Sequence, residues 1–161
     1  MRAAVTIVAI AVGSVLVGGT GALAAVPNKA HKLPKDACAL LTDAQVATVV
    51  PSAVAKPEPG TATQVSCFWS AGAASLAVSV YKVKSTAAAK TALKTSAKKQ
   101  GVKPLKGVGD FAYQSGTKYL SHVAVVVGTL QLSIDFSPGH PPTSSDNANA
   151  LSIAKTVAKQ V

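Results

Sequence analysis

The chain has 161 residues, of which 48% are hydrophobic and 14% charged, and it carries a formal net charge of +10. That length suits one domain of ordinary size and excludes two. The low charged fraction, with 12 glycines and 9 prolines, excludes a disordered chain and collagen-like or coiled-coil architecture.

Residues 1–24 read as a secretory signal: Met1 and Arg2 form a positive start, an uncharged apolar run follows, and Ala22-Leu23-Ala24 supplies the small-x-small cleavage pattern. An uncleaved membrane anchor is the alternative, because no charge appears until Lys29. No cysteine stands at the cleavage point, and Cys38 is too far along, behind Lys35-Asp36-Ala37, to be a lipidation site.

Arg2 is the sole arginine, so beyond residue 24 fifteen lysines face six acidic residues. Nucleic-acid readers use arginine for bidentate contacts and aromatic platforms for stacking. The sequence offers neither, and no nucleic-acid partner is expected. Anionic polymers and lipid surfaces need only point charges, which lysine provides. A basic, unoccupied surface is the plainer account of the same charge.

Cys38 and Cys67 would form an intramolecular disulfide in an oxidising compartment, worth about 3–4 kcal/mol in the chain-entropy picture. Their spacing is neither a redox CxxC nor a zinc pattern, and the three histidines are scattered. No metal or cofactor is expected.

Residues 25–35 carry Pro27, Pro34 and three lysines without apolar periodicity and read as an extended leader. Residues 36–161 then form a single domain. Its first helix starts at Thr42, an N-cap whose reciprocal partner is Gln45, with Leu41 and Val46 as the hydrophobic staple. Pro51 stops it, and 51–60, with three prolines, reads as a loop. Residues 64–71 form a strand with Val65, Cys67 and Trp69 on one face. A turn at Gly72 leads to a second strand over 75–83, in which Leu76, Val78 and Val80 alternate with smaller or polar residues.

Residues 85–100 form an alanine-rich helix ended by Gly101, with Ala88, Ala89, Ala92, Leu93 and Ala97 on one arc and Lys90, Lys94 and Lys98 as a ridge on another. Like charges at this spacing oppose the helix by about 0.2–0.5 kcal/mol per pair. No acidic residue between Glu58 and Asp110 relieves them. A solvated face is the ordinary meaning of such a ridge, and an anionic-surface site is the functional one.

Gly107-Val108-Gly109 lacks the third glycine and following helix of a phosphate loop, and reads as a tight turn or bulge before a short strand over 110–114. Strands over 119–127 and 130–136 are joined by Gly128-Thr129, suited to a type II′ turn. That turn sets Val127 opposite Leu130, Val125 opposite Leu132, Val123 opposite Ile134, and His122 opposite Asp135. His122 and Asp135 form a cross-strand pair. As an acid–base pair of a hydrolase they lack a nucleophile, since Ser121 points to the other face and Ser133 sits one step along. His140, among three prolines, marks a rigid surface connection. The last helix begins at Asp146, with Leu151, Ala154, Val157, Ala158 and Val161 as its apolar stripe and Lys155 and Lys159 at its C-terminal dipole.

This order implies an α+β fold: a predominantly antiparallel sheet of four to five strands packed with three helices, and one disulfide. The segments Asp36-Ala37-Cys38-Ala39-Leu40-Leu41-Thr42, Cys67-Phe68-Trp69 and Gly107-Val108-Gly109-Asp110, with a final alanine-rich helix, resemble a family of small actinobacterial exported proteins and lipoproteins of unknown function. The resemblance implies an envelope or extracellular location and a Cys38–Cys67 disulfide. It transfers no catalytic residue.

Two functional expectations follow. The first is a secreted, non-enzymatic domain that associates with the cell envelope or an extracellular protein partner, binding anionic polymer or lipid through Lys90, Lys94 and Lys98. The second is a small-ligand or lipid carrier with a pocket between the aliphatic sheet face and the alanine-rich helix.

Overall fold

The computed structural model describes residues 31–161, so the expected signal segment 1–24 and the leader residues 25–30 lie outside the described residues. The fold is α+β, with three helices, one antiparallel sheet of seven strands, and one disulfide joining Cys38 to Cys67. A 3-10 turn, Cys38–Leu40, and helix α1, Asp43–Ala47, precede strands β1, Val54–Thr61, β2, Gln64–Ala71, and β3, Ala74–Lys82. Helix α2, Thr86–Lys99, leads to β4, Pro104–Leu105, β5, Phe111–Gly116, β6, Ser121–Val127, and β7, Leu130–Ser137. Helix α3, Ser144–Gln160, closes the chain. The sheet order β1-β2-β3-β7-β6-β5-β4 joins two meanders along β3 and β7.

The seven strands correct the expected four to five. Of the expected loop 51–60 only 51–53 lie outside regular structure; the rest belongs to β1, which pairs antiparallel with β2 and takes Pro57 opposite Cys67. It tolerates its prolines because it is an edge strand. Pro57 lies opposite Cys67 on a strand that has a neighbour on one side only, and Pro59 falls where the register shifts between Glu58 and Thr61, so neither has to supply a regular ladder bond on both sides. Every residue of β1 is exposed, which leaves no apolar alternation to read. Prolines at a sheet edge also discourage a further strand from adding there. The other added strand, β4, has only two residues and includes Pro104.

Local chemistry accounts for the helix ends. Thr42 Oγ1 accepts the Gln45 N–H at 3.3 Å while Gln45 Oε1 accepts the Thr42 N–H at 2.8 Å, closing a capping box on α1. A second box starts α3 at Thr143, three residues earlier than Asp146, because Asp146 is its N3 partner and not its first residue. The buried stripe of α3 is Ala150, Ile153, Ala154 and Val157, with Leu151, Ala158 and Val161 packed at its margin.

The main core lies on one face of the sheet. Leu76, Val78 and Val80 of β3, Val123 and Val125 of β6, and Leu130, Leu132, Ile134 and Phe136 of β7 lie on the sheet face that carries α3, joined by Leu40, Val46 and Val50 from the N-terminal segment. Each such side chain, fully buried, contributes about 1.5–3 kcal/mol of transfer free energy. Cys67 and Trp69 share this core with Leu40 and Val46, so the disulfide ties the N-terminal elements to the sheet. Helix α2 covers the opposite face, but only over β5 and β6: Ala89, Leu93 and Ala97 pack on Phe111, Tyr113, Ala124 and Val126. Burial follows this layering. β7, covered on one face, alternates strictly, whereas consecutive residues of β6 are buried because helices lie on both sides.

The hairpin of β6 and β7 has the register the turn implies, with Val127 opposite Leu130 and His122 opposite Asp135. Gly128 has φ +53° and Thr129 has no positive φ, the pattern of a type II′ turn. Several elements fasten this turn. Asp110 Oδ2 accepts the Gly128 N–H at 2.6 Å, Thr86 Oγ1 donates to the Gly128 carbonyl at 2.6 Å, and the Val83 N–H bonds the Thr129 carbonyl at 2.9 Å. Asp110 thus caps a turn eighteen residues further along the chain. Gly109, with φ +56°, lies against the Val126 carbonyl so closely that a β-carbon would collide with it.

The leader is not a free tether over its described part. His31 Nδ1 meets the Val161 carbonyl at 3.0 Å, the His31 carbonyl accepts from Thr129 Oγ1 at 3.2 Å, and Leu33 packs on the main core. Two hydrogen bonds at His31 and one apolar contact at Leu33 dock it, none of them part of a periodic pattern.

Candidate functional site

Helix α2 forms because its alanines lose no side-chain entropy and its ends are well closed. Ser85 caps the start by accepting the Ala88 N–H at 3.2 Å. At the other end the Gly101 N–H bonds the Lys98 carbonyl and the Val102 N–H bonds the Ala97 carbonyl, with Gly101 at φ +66°. These two bonds make a Schellman motif, with its usual apolar contact between Val102 and Ala97. Lys98 and Lys99 in the last turn suit the negative end of the helix dipole.

The buried stripe of α2 is Thr86, Ala89, Leu93 and Ala97. This corrects the expected arc, since Ala88 and Ala92 are exposed. Spacing of three and four residues keeps a narrow contact line, and the wider alanine arc has no sheet beneath it. The lysines lie outside the line: Lys94 and Lys98 are exposed and Lys90 half-buried. The two ion pairs among the described residues are His122–Asp135 and His140–Asp146, so no described lysine is held by a carboxylate. Lys94 Nζ lies 6.0 Å from the centroid of the Phe111 ring, at the outer limit of a cation–π contact.

Two recesses border this ridge. One of about 400 Å3 is lined by Thr86, Ala87, Lys90, Thr91 and Lys94. The other, about 340 Å3, has Ala97, Val102, Pro104 and Phe111 as its apolar lining and Lys94 and Lys98 at its rim. Neither lies against the aliphatic sheet face, which α3 covers. The expected carrier pocket between that face and α2 therefore does not exist as imagined, because the two elements stand on opposite sides of the sheet. Sequence patterning identifies which residues of a strand share a face but not which helix covers it.

His122 and Asp135 meet on the face that carries α2, beyond the helix. His122 Nδ1 lies 2.7 Å from Asp135 Oδ1, and Ser133 Oγ donates to Asp135 Oδ2 at 2.8 Å. Partial burial works against the charge on Asp135, but the hydrogen bonds from His122 and Ser133 and the attraction of His122 outweigh it. Its carboxyl is held below the usual carboxylate range. The carboxylate bridges histidine and serine, so Ser133 is not oriented by the imidazole, as a nucleophile in a catalytic triad would be. Ser121 is buried on the core side and accepts from Gln114 Nε2 at 3.0 Å.

The remaining candidates have structural surroundings. Trp69 is 2% exposed in the main core, beside the disulfide. His140 contacts the Pro141 carbonyl at 3.0 Å. Among the described residues no three histidine, cysteine or acidic side chains gather as a metal site. Also among them, no helix is long and apolar enough to cross a membrane. The disulfide is a feature of proteins matured in oxidising, extracytoplasmic compartments.

Compared with known proteins, the chain matches no family model and no curated protein.

Proposed function

We propose that the protein is a secreted or envelope-associated, non-enzymatic domain that binds anionic polymer or lipid surfaces through Lys90, Lys94 and Lys98 of α2. The observation that carries this reading is the ridge itself: three lysines on one rigid helix, none held by a carboxylate, in a stretch with no acidic residue from Glu58 to Asp110. A helix fixed to the sheet along Ala89, Leu93 and Ala97 holds the Cα positions of the three lysines in a fixed row. Lysine ammonium groups act as point charges and need no planar acceptor, which suits phosphate- or carboxylate-bearing surfaces. The signal-like segment 1–24, the disulfide and the resemblance to small actinobacterial exported proteins all support an address outside the cytosol.

Retention on isolated cell walls tests the reading. The wild type is expected to be retained at low salt and released as salt screens the contact, and a K90Q/K94Q/K98Q variant to be released earlier. Equal retention of variant and wild type would remove the lysine ridge from the account.

A further inference from the structure

The recess beside the end of α2 combines two properties that an anionic surface alone does not require. Its lining is apolar, from Ala97, Val102, Pro104 and Phe111, and its rim carries Lys94 and Lys98. We propose that it binds a single-chain anionic amphiphile, with the alkyl chain against that lining and the headgroup between the two lysines. This inference rests on the lysine-face reading and gives that face a ligand class.

The recess follows from how α2 ends. The Schellman motif turns the chain back at Gly101 and lays Val102 against Ala97. The chain then reaches β4, which has only two residues and carries Pro104 opposite Tyr113 at the sheet edge. Position 97 is the last of the buried stripe and holds alanine where its partner Leu93 is large, so the helix does not fill the space above Phe111. Its volume is about 340 Å3, room for one alkyl chain laid along the apolar lining.

Charge selects the headgroup. Lys94 Nζ lies 6.0 Å from the centroid of the Phe111 ring that helps line the recess, so an anion between Lys94 and Lys98 sits directly at its mouth. Lys99, Lys103 and Lys106, all exposed, follow close in sequence. A cationic or zwitterionic headgroup would meet repulsion or no net gain there. Inorganic phosphate would use the lysines but leave the apolar lining in water.

An NMR titration of the full folded domain with hexyl and octyl phosphate, each below its micelle concentration, tests the proposal. Shifts are expected at the Val102 and Ala97 methyls and the Phe111 ring. Affinity should rise from hexyl to octyl by roughly fourfold per added methylene, the factor that burial of one CH2 gives. Ala97→Phe, which narrows the recess while keeping every lysine, should weaken octyl phosphate binding at least tenfold. The inference is overturned if octyl phosphate shifts Val102 and Phe111 no more than inorganic phosphate does, or if octyltrimethylammonium binds as tightly. Undiminished binding by a folded Ala97→Phe variant would also overturn it. The chain-length and headgroup comparisons use wild-type protein and stand even if that variant fails to fold. Loss of the broader lysine-face reading would show separately, as cell-wall retention indifferent to the lysine substitutions.

Discussion

Asp110 accepts the backbone N–H of Gly128 at 2.6 Å, a bond between the start of β5 and the turn of the β6–β7 hairpin. Gly128 is buried, and its carbonyl is taken by Thr86 at the start of α2. The helix that carries the lysines and the hairpin at the centre of the sheet are therefore fastened through one glycine.

Replacing Asp110 with alanine leaves the Gly128 N–H without its acceptor inside the protein. The cost of such an orphaned donor is about 1–3 kcal/mol. Urea denaturation should show a lower midpoint for Asp110→Ala with an unchanged slope. A midpoint equal to that of the wild type would mean that water or a shifted backbone satisfies the amide.

Removing the disulfide as Cys38→Ser with Cys67→Ser releases a loop closed across 29 residues of sequence separation. The expected loss is about 3–4 kcal/mol, the chain-entropy value for such a loop. Denaturation of wild type under oxidising and reducing conditions should reproduce the difference. Equal stabilities would show that the N-terminal elements are held by core packing alone.

Acid should unfold the protein partly through Asp135. Its carboxyl is lowered in the folded state by His122 and Ser133 against the opposing effect of burial. The unfolded chain therefore binds this proton more readily, and the resulting stabilisation is complete above the unfolded value of about 3.9 and disappears as pH falls through the lower folded value. Denaturant midpoints between about pH 2 and 6 should fall less steeply on the acid side for Asp135→Asn than for wild type. Identical slopes would contradict the assigned role.

The lysine ridge should oppose the helix that carries it. Lys90, Lys94 and Lys98 form two successive like-charged pairs on α2, each unfavourable by about 0.2–0.5 kcal/mol. Lys94→Gln, which removes both pairs and leaves Lys98 at the helix dipole, should therefore be slightly more stable at low salt, with the difference closing as salt is added. A less stable variant would mean that the lysine stems contribute packing that outweighs their repulsion.

Sequence reading went furthest where one physical signal was sufficient. Thr42 with Gln45 identified the start of α1, and Gly128-Thr129 fixed a register that places His122 beside Asp135. It failed at β1, where prolines read as breakers. An edge strand with every residue exposed offers no alternation, and its prolines are tolerated only because a neighbour is absent on one side. It also set α2 against the aliphatic sheet face, because strand patterning does not say which helix covers a face, and it widened the buried arc of α2 to Ala88 and Ala92, which lie exposed beside the line through Ala89, Leu93 and Ala97. The recess beside Val102 was illegible for a related reason: its lining comes from a helix end, an edge strand and β5, which meet only in three dimensions.

The central claim is that the arrangement of lysines on α2, and not total charge, directs binding. Cosedimentation with phosphatidylglycerol vesicles at increasing salt can separate the two by comparing K90Q/K94Q/K98Q with K56Q/K118Q/K155Q, which removes the same charge from exposed positions elsewhere. The ridge variant is expected to leave the vesicles at markedly lower salt than the scattered variant, which should stay close to wild type. Equal release of the two variants would contradict the account and reduce the lysine face to a share of the net charge.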